Sequence, residues 1–264
     1  VLWGTDYEVA GDRQLLKLLE GAEKPAAAAT ALDNVIAAST ASWAEYAETG
    51  SPQFIFSFAG DPALVRAVRE AWPNPDPQSD VILNTLEKTL FTNQLWMQGK
   101  GWESNRARAE LQRENFLRYW RAAKQRGATP KVLAKYGGSH IVRGLSQTAV
   151  YDLGTLLPEI AALEGNRSFS MLIVPGAGTS VAGLNPSTWT YEPRPADGGY
   201  LAGLGPIMSA AHEDTFTLID LAALRPVVGM SGKDVDKELF RTVHGFDMLL
   251  IMSGSNPSGE LQHD

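Results

Sequence analysis

The sequence predicts an α/β protein with a mostly parallel sheet flanked by helices and a large helical insertion. Short strand-like runs alternate with helical patterns towards both ends of the chain. The middle of the chain carries helix caps, prolines and alanine-rich runs instead. With 264 residues, 44% of them hydrophobic, the chain can bury a large core. We therefore expect a single α/β domain over 1–264, with a helical insertion at 25–126.

The composition excludes several classes of function. The formal net charge is −7, and no run of Lys and Arg is long enough to follow a phosphate backbone, so we expect no nucleic-acid partner. A small-molecule substrate fits better. The chain has no cysteine, so any metal would need His and carboxylate ligands. No apolar run approaches the roughly 20 residues of a membrane span, and no motif specifies a cofactor.

The first residues predict an interior strand from Val1 to Tyr7 that places Asp6 and Glu8 near its end. A carboxylate at a strand end can belong to a functional site, and the alternative is a solvated side chain. Of the two residues, Asp6 is the stronger candidate for the site. The chain does not begin with Met, and its first residues resemble a strand in mid-fold. We therefore expect a longer precursor, whose missing N-terminal segment would be a partner of this chain.

The segment from 25 to 126 is predicted to be helical and to form one wall of a cleft. Its last helix carries four hydrogen-bonding residues at helical spacing, which places them on one stripe: Arg108, Gln112, Asn115 and Tyr119. A solvated face is the alternative and is favoured for Gln112. Asn115 is a poor helix former beside bulky aromatic residues. A role in substrate binding would account for Arg108 and Asn115.

The stretch from Pro130 to Asp152, PKVLAKYGGSHIVRGLSQTAVYD, carries the main candidate for chemistry. It is predicted to form a strand at 131–136, to break at Gly137-Gly138, and to form a second extended run at 148–153. A strand that ends in Gly-Gly and continues into His-x-x-Arg is typical of polar side chains at the carboxyl edge of an α/β sheet, where ligands bind. This favours His140 and Arg143 as catalytic residues, although a lone histidine is more often structural.

Two neighbouring residues, Tyr136 and Ser139, are candidates for substrate binding at the same edge. The rest of the chain predicts strands at 169–174, 216–221 and 246–252, a β piece at 188–192, and helices at 152–164 and 233–243. The glycine-rich run PGAGTSVAG after the first of these strands lacks the spacing of a nucleotide-binding loop. We therefore interpret it as a flexible loop. No G-x-S-x-G motif is present, which disfavours a serine α/β-hydrolase.

The order of four motifs resembles the erythromycin esterase-like family and the wider group that includes haem-binding ChaN-like lipoproteins. The motifs are W-G-x-D at 3–6, the helix carrying Arg108 and Asn115, G-x-x-H-I-x-R at 137–143, and F-D-x-L-L-I at 246–251. In that family the central motif usually reads H-N-x-H, and an early G-E-x-x-H motif supplies a glutamate and a histidine. Here Gly137 replaces the first histidine of the central motif, and the early motif would precede Val1. We favour export to the periplasm over a cytoplasmic location.

The resemblance implies a hydrolase that cleaves an ester or related bond of a small molecule by His-assisted activation of water. The implied roles are His140 as acid or base, Arg143 as a clamp for an oxyanion or carboxylate, Asp6 and Glu8 as orienting or metal-binding carboxylates, and Arg108 and Asn115 as cleft residues. The alternative is a non-catalytic protein that uses the same cleft for haem, a metal or a small ligand. In either case we expect His140 in a pocket with Arg143 and at least one of Asp6, Glu8, Arg108 or Asn115.

Overall fold

The computed structural model describes residues 1–7, 9–185, 190–196, 199–230 and 235–256. It divides into two compact units, Val1–Val132 and Leu133–Asp264. The expectation of a single domain stays a prediction, and each unit is described by itself. Helices make up 58% of the structure, and the larger sheet is a small one of mixed orientation, so the expected mostly parallel sheet is wrong.

The first unit is helical, as the caps and alanine-rich runs between 25 and 126 predicted. Its helices are α1 (Asp12–Gly21), α2 (Ala26–Thr49), α3 (Phe56–Ala59), α4 (Pro62–Ala71), α5 (Pro77–Met97) and α6 (Gly101–Gln125), with a 3₁₀ turn at Pro52–Phe54. Within the described residues the first strand begins at Met171, so this helical segment is not inserted between strands as expected.

Helix caps and apolar spacing explain these elements. The Asp61 side chain accepts a hydrogen bond from the backbone of Ala63 at the start of α4, and Asp76 caps α5 in the same way, each followed by proline at the first helical position. The apolar faces of the helices then meet in one core, whose fully buried members include Leu19, Phe56 and Leu83. Burial of each such side chain contributes about 1.5–3 kcal/mol.

The predicted strand from Val1 to Tyr7 does not form. These residues form neither a strand nor a helix, and Val1 and Leu2 are exposed. Trp3 instead stacks on Tyr119 of α6, with 5.7 Å between the ring centroids. The apolar part of the run is too short to hold an interior strand. The side chains of Trp3 and Asp6 contact residues of α6 instead.

The described residues of the second unit form five strands in two sheets. The strands are β1 (Met171–Pro175), β2 (Ser180–Asn185), β3 (Thr190–Pro195), β4 (Phe216–Asp220) and β5 (Met248–Met252). The three-stranded sheet has the order β1-β5-β4, in which β5 is parallel to β1 and antiparallel to β4. The strands β2 and β3 form a separate antiparallel hairpin. The strands predicted at 169–174, 216–221 and 246–252 are thus confirmed.

Helices complete the second unit: α7 (Gly138–Ile141), α8 (Leu153–Leu163), α9 (Gly205–Met208), α10 (Arg225–Met230) and α11 (Lys237–Gly245), with 3₁₀ turns at Gly199–Leu204 and Ala222–Leu224. The β piece predicted at 188–192 overlaps β3, which begins at Thr190. Residues 188–189 lie outside the described residues, as do residues 233–234 of the helix predicted at 233–243.

Two further predicted strands, at 131–136 and 148–153, are wrong. Leu133 is 95% exposed, so the first run has no buried side on which a strand could pack. In the second run Ala149 has a φ of 58°, which breaks an extended chain. The Asp152 side chain then accepts a hydrogen bond from the backbone of Leu153 and starts α8.

The three-stranded sheet buries one face. In β5 the side chains of Leu249 and Ile251 are fully buried, and Leu172 and Val174 of β1 point into the same core. The alternate residues of the neighbouring strands face outwards, and Leu218 of β4 is 54% exposed. This alternation follows from the two-residue period of a strand. Across the described ranges, no helix is long and apolar enough to cross a membrane.

Candidate functional site

His140 and Asp152 form a hydrogen-bonded pair in the second unit. The Nδ1 atom of His140 lies 2.6 Å from Oδ2 of Asp152. Asp152 is buried, with 1% of its side chain exposed, whereas 17% of the His140 side chain is exposed. The other carboxylate oxygen, Oδ1, accepts a 2.7 Å bond from the backbone N–H of Leu153. An ionised Asp152 therefore favours the tautomer with the proton on Nδ1 and leaves Nε2 to exchange a proton.

Two short helices bring this pair together. His140 lies in α7, and Asp152 is the N-cap of α8. The two helices approach at Gly154, where an added Cβ atom would lie 2.2 Å from the carbonyl oxygen of Val142. A glycine is required at this position because the obstacle is backbone and cannot turn aside.

Arg143 is bound to a carboxylate of its own unit. Its Nη1 and Nη2 atoms donate to the two oxygens of Asp247 at 2.7 and 2.6 Å. Arg225 donates to the same carboxylate at 3.1 Å, and the backbone of Ser170 does so at 2.9 Å. The Arg143 guanidinium, with these other donors, lowers the pKa of Asp247 to about 2. The charge of Arg143 is therefore balanced within the chain.

This cluster corrects the expected position of the central stretch. Ser170 and Asp247 come directly before β1 and β5, so Arg143 lies at the amino-terminal end of these two parallel strands and not at their carboxyl edge. The oxygen of Ile141 also accepts a bond from the Ser170 side chain. The reason is that 131–136 is not a strand, so no sheet element carries residues 137–143 to the carboxyl edge.

Asp6 has its partners in the first unit, on α6. Its Oδ2 atom accepts a 2.5 Å bond from Nη2 of Arg108 and a 2.8 Å bond from the amide of Gln112, and the single Nε–H of Arg108 lies 3.1 Å from both carboxylate oxygens. Asn115 donates to the carbonyl oxygen of Thr5 at 3.0 Å. The stripe predicted on this helix therefore holds residues 3–6. Gln112 is completely buried, so its interpretation as part of a solvated face is wrong.

Tyr7 continues this polar cluster. Its hydroxyl donates to Oδ1 of Asn93 at 2.7 Å, and the Asn93 amide donates to the carbonyl oxygen of Ser57 at 2.9 Å. Burial raises the pKa of the Tyr7 hydroxyl. The Arg108 guanidinium lies 5.3 Å from the centroid of the Tyr7 ring. The cluster anchors the N-terminal segment to α5 and α6.

The predicted site residues thus belong to two groups. Asp6, Arg108 and Asn115 lie in the first unit, whereas Tyr136, Ser139, His140 and Arg143 lie in the second. Glu8 lies outside the described residues. Tyr136 and Ser139 are half-buried, and Ser139 precedes His140 in α7. No group of three or more His, Asp or Glu side chains that could hold a metal ion is present in the part of the chain that the structure describes.

The sequence interpretation missed Asp152 as the partner of His140. The sequence predicts a helix at 152–164, and Asp152 is the N-cap of that helix, α8. No sequence pattern shows that its second oxygen turns back to a histidine twelve residues earlier. The signal that could have found it is the presence of one His and one Asp in a single glycine-rich stretch.

Comparisons with known proteins add no assignment. A scan against protein-family models gave no match, and neither a search of curated proteins nor a search of solved structures found one.

Proposed function

We propose that this protein is a hydrolase of the erythromycin esterase-like type that cleaves an ester or related bond of a small molecule. The observation that carries the proposal is the 2.6 Å contact between His140 Nδ1 and the buried Asp152 carboxylate. A catalytic imidazole needs a partner that fixes its tautomer and orientation, and Asp152 fills that role. His140 is also the histidine of the G-x-x-H-I-x-R motif on which the family resemblance depends.

The chemistry requires one proton acceptor and one water molecule. Nε2 of His140 takes a proton from water as the water oxygen attacks the substrate carbonyl carbon, and Asp152 stabilises the resulting imidazolium. The tetrahedral intermediate then expels the alkoxide, which takes the proton back from Nε2. The products are a carboxylic acid and an alcohol, so atoms and charge balance.

In this proposal, the other predicted site residues that the structure describes have structural roles. Arg143 ties the segment after His140 to Asp247, and it is a positioning residue because its guanidinium is engaged by a carboxylate. Asp6, Arg108 and Asn115 bind one another or the backbone of the N-terminal segment. The alternative of a non-catalytic binding protein becomes the first choice if His140 contributes nothing to turnover.

The first test replaces His140 by alanine. We expect the turnover of p-nitrophenyl acetate to fall by roughly 100-fold or more, which is the usual contribution of a positioned acid or base. The melting temperature should also fall, because the buried Asp152 carboxylate loses this partner, so turnover is compared at a temperature at which both proteins are folded. His212→Ala is the matched control, since His212 is exposed in the same unit. Unaltered turnover in a folded His140→Ala protein would remove His140 from the mechanism.

A further inference from the structure

A cavity lies at the opposite end of the parallel strands from Arg143 and Asp247. Its volume is about 530 Å³, within the range of small-molecule sites. It is formed by the loop that follows β1, the end of β3 and the segment around α9. The described lining includes Gly176, Ala177, Thr179, Ala196, Leu201 and Met208. The carboxyl ends of parallel strands are where ligands of α/β proteins bind.

The loop from 176 to 179 is held by hydrogen bonds to the end of β5, and the later residues of the run interpreted as a flexible loop belong to β2, which begins at Ser180. The Gly176 N–H donates to the carbonyl oxygen of Met252 at 2.7 Å, and the Ser180 N–H donates to that of Ser255 at 3.1 Å. The Thr179 hydroxyl donates to the same Met252 oxygen at 2.8 Å. One wall of the cavity is therefore preformed.

Gly176 brings this wall against Ser253. An added Cβ atom at Gly176 would lie 2.4 Å from the Ser253 hydroxyl oxygen. Ser253 is 5% exposed, and its hydroxyl is buried with no hydrogen-bond partner in the structure. Ser253 is not one of the described residues that line the cavity, so its close approach to Gly176 packs the wall from behind.

The apolar lining of the cavity favours an uncharged ligand. Of the described residues that line the cavity, none carries a charge, and the side chains of Ala177, Pro193, Pro195, Ala196, Leu201 and Met208 are apolar. The backbone N–H groups of Gly176, Thr179 and Ser180 already donate within the chain, so these three are not free to bind a phosphate. A mostly apolar, uncharged molecule matches the described lining.

We propose that this cavity is a second small-molecule site, which binds an uncharged and mostly apolar ligand through the walls formed by the loop at 176–179 and by Leu201 and Met208. It is separate from the His140–Asp152 pair, since residues 141–143 are tied to the amino-terminal ends of β1 and β5. The proposal therefore does not depend on the hydrolase assignment, and His140→Ala should leave binding at this site unchanged.

The test uses the purified full chain and the neutral fluorophore N-phenyl-1-naphthylamine, titrated by fluorescence. Ala177 is exposed and lines the cavity, so Ala177→Trp should occupy the space without disturbing folding. We expect saturable binding by the unaltered protein and at least a tenfold higher Kd for Ala177→Trp. Ala196→Leu should weaken binding in the same direction. Ala210→Trp is the matched control, because Ala210 is exposed and outside the lining.

Two further measurements distinguish binding in this cavity from binding elsewhere on the protein. Leu218→Thr on the exposed face of β4 should leave the Kd unchanged, because that face is not part of the cavity. Inorganic phosphate at millimolar concentration should not displace the fluorophore. Equal Kd values for Ala177→Trp and Ala210→Trp, loss of binding in Leu218→Thr, or displacement by phosphate would each overturn the proposal.

Discussion

Asp152 makes two hydrogen bonds with its two carboxylate oxygens. Oδ1 caps α8 through the Leu153 N–H, and Oδ2 holds Nδ1 of His140. The first bond stabilises the helix, and the second orients the imidazole. The two roles can be separated because an asparagine keeps one acceptor oxygen but replaces the other with a donor.

Asp152→Asn should therefore affect activity more than stability. The asparagine oxygen can still cap α8, while its amide group can only donate to Nδ1, which favours the tautomer with the proton on Nε2. We expect kcat for p-nitrophenyl acetate to fall by about 100-fold or more, with an altered pH profile and a small change in KM. Asp220→Asn is the matched control, since Asp220 caps the turn at Ala222. Equal rates for the two variants would contradict the orienting role.

Asp247 predicts a pH dependence of stability. Its pKa is lowered from 3.8 to about 2, first of all by its bonds to Arg143, so the folded state favours the ionised carboxylate. A lowered pKa adds stability that is fully present above about pH 4 and is lost as the pH falls towards 2. With allowance for partial exposure, the contribution is about 1–2 kcal/mol.

Urea unfolding of Asp247→Asn between pH 7 and pH 2 measures this contribution. The free energy of unfolding of the variant should lie below that of the unaltered protein at pH 7, and the difference should shrink between pH 4 and pH 2. Glu213→Gln removes an exposed carboxylate of the same unit and should show a much smaller difference. A gap between Asp247→Asn and the unaltered protein that stays constant down to pH 2 would contradict the assignment.

Among the elements, those that a local residue pattern specifies, such as an apolar run or a helix cap, were predictable from the sequence. The short apolar runs of β1 and β5 mark buried strands, and Asp61-Pro62 marks a helix start. The runs 1–7 and 131–136 have similar local composition but no neighbouring strand to pair with. Strand formation depends on such partners, which lie far away in sequence.

The same distinction applies to the candidate site. His140 and its glycine-rich stretch stand out as residue types, so sequence reasoning could select them. Their hydrogen-bond partners do not follow from the local sequence. The bond of His140 to Asp152 depends on how α7 and α8 pack, and the bond of Arg143 to Asp247 depends on where β5 begins. Gly154 shows how tightly these two helices approach.

Gly154→Ala should disrupt the approach of α7 and α8. Its Cβ would meet the Val142 carbonyl oxygen at 2.2 Å, so one of the two helices has to move. We expect a loss of about 2–3 kcal/mol in stability, comparable to other overpacked cores, and weaker ester turnover because His140 and Asp152 lie on the separated helices. Gly205→Ala, where nothing lies within 4 Å of the added atom, should be close to neutral. Thermal unfolding and turnover assays that show both variants alike would refute this packing.

Across the described part of the molecule, most of the buried apolar residues belong to one of two clusters. One contains residues of α1 to α5, with Leu83 fully buried, and the other contains residues of the second unit, with Leu249 fully buried. The clusters contain no residue in common, and each lies within one of the two compact units. A group of residues with its own apolar core can lose structure locally before the rest of the chain unfolds.

Leu249→Ala tests this division. The substitution leaves a cavity in the second core and should cost about 2–5 kcal/mol there. In hydrogen exchange of the full chain, we expect protection to fall for peptides of 133–256 and to change much less for peptides of 12–125. Leu218→Ala on the adjacent strand β4 is the matched control, because its side chain is largely exposed and its loss should matter little. A uniform loss of protection along the whole chain in Leu249→Ala would show instead that both cores unfold in one cooperative step.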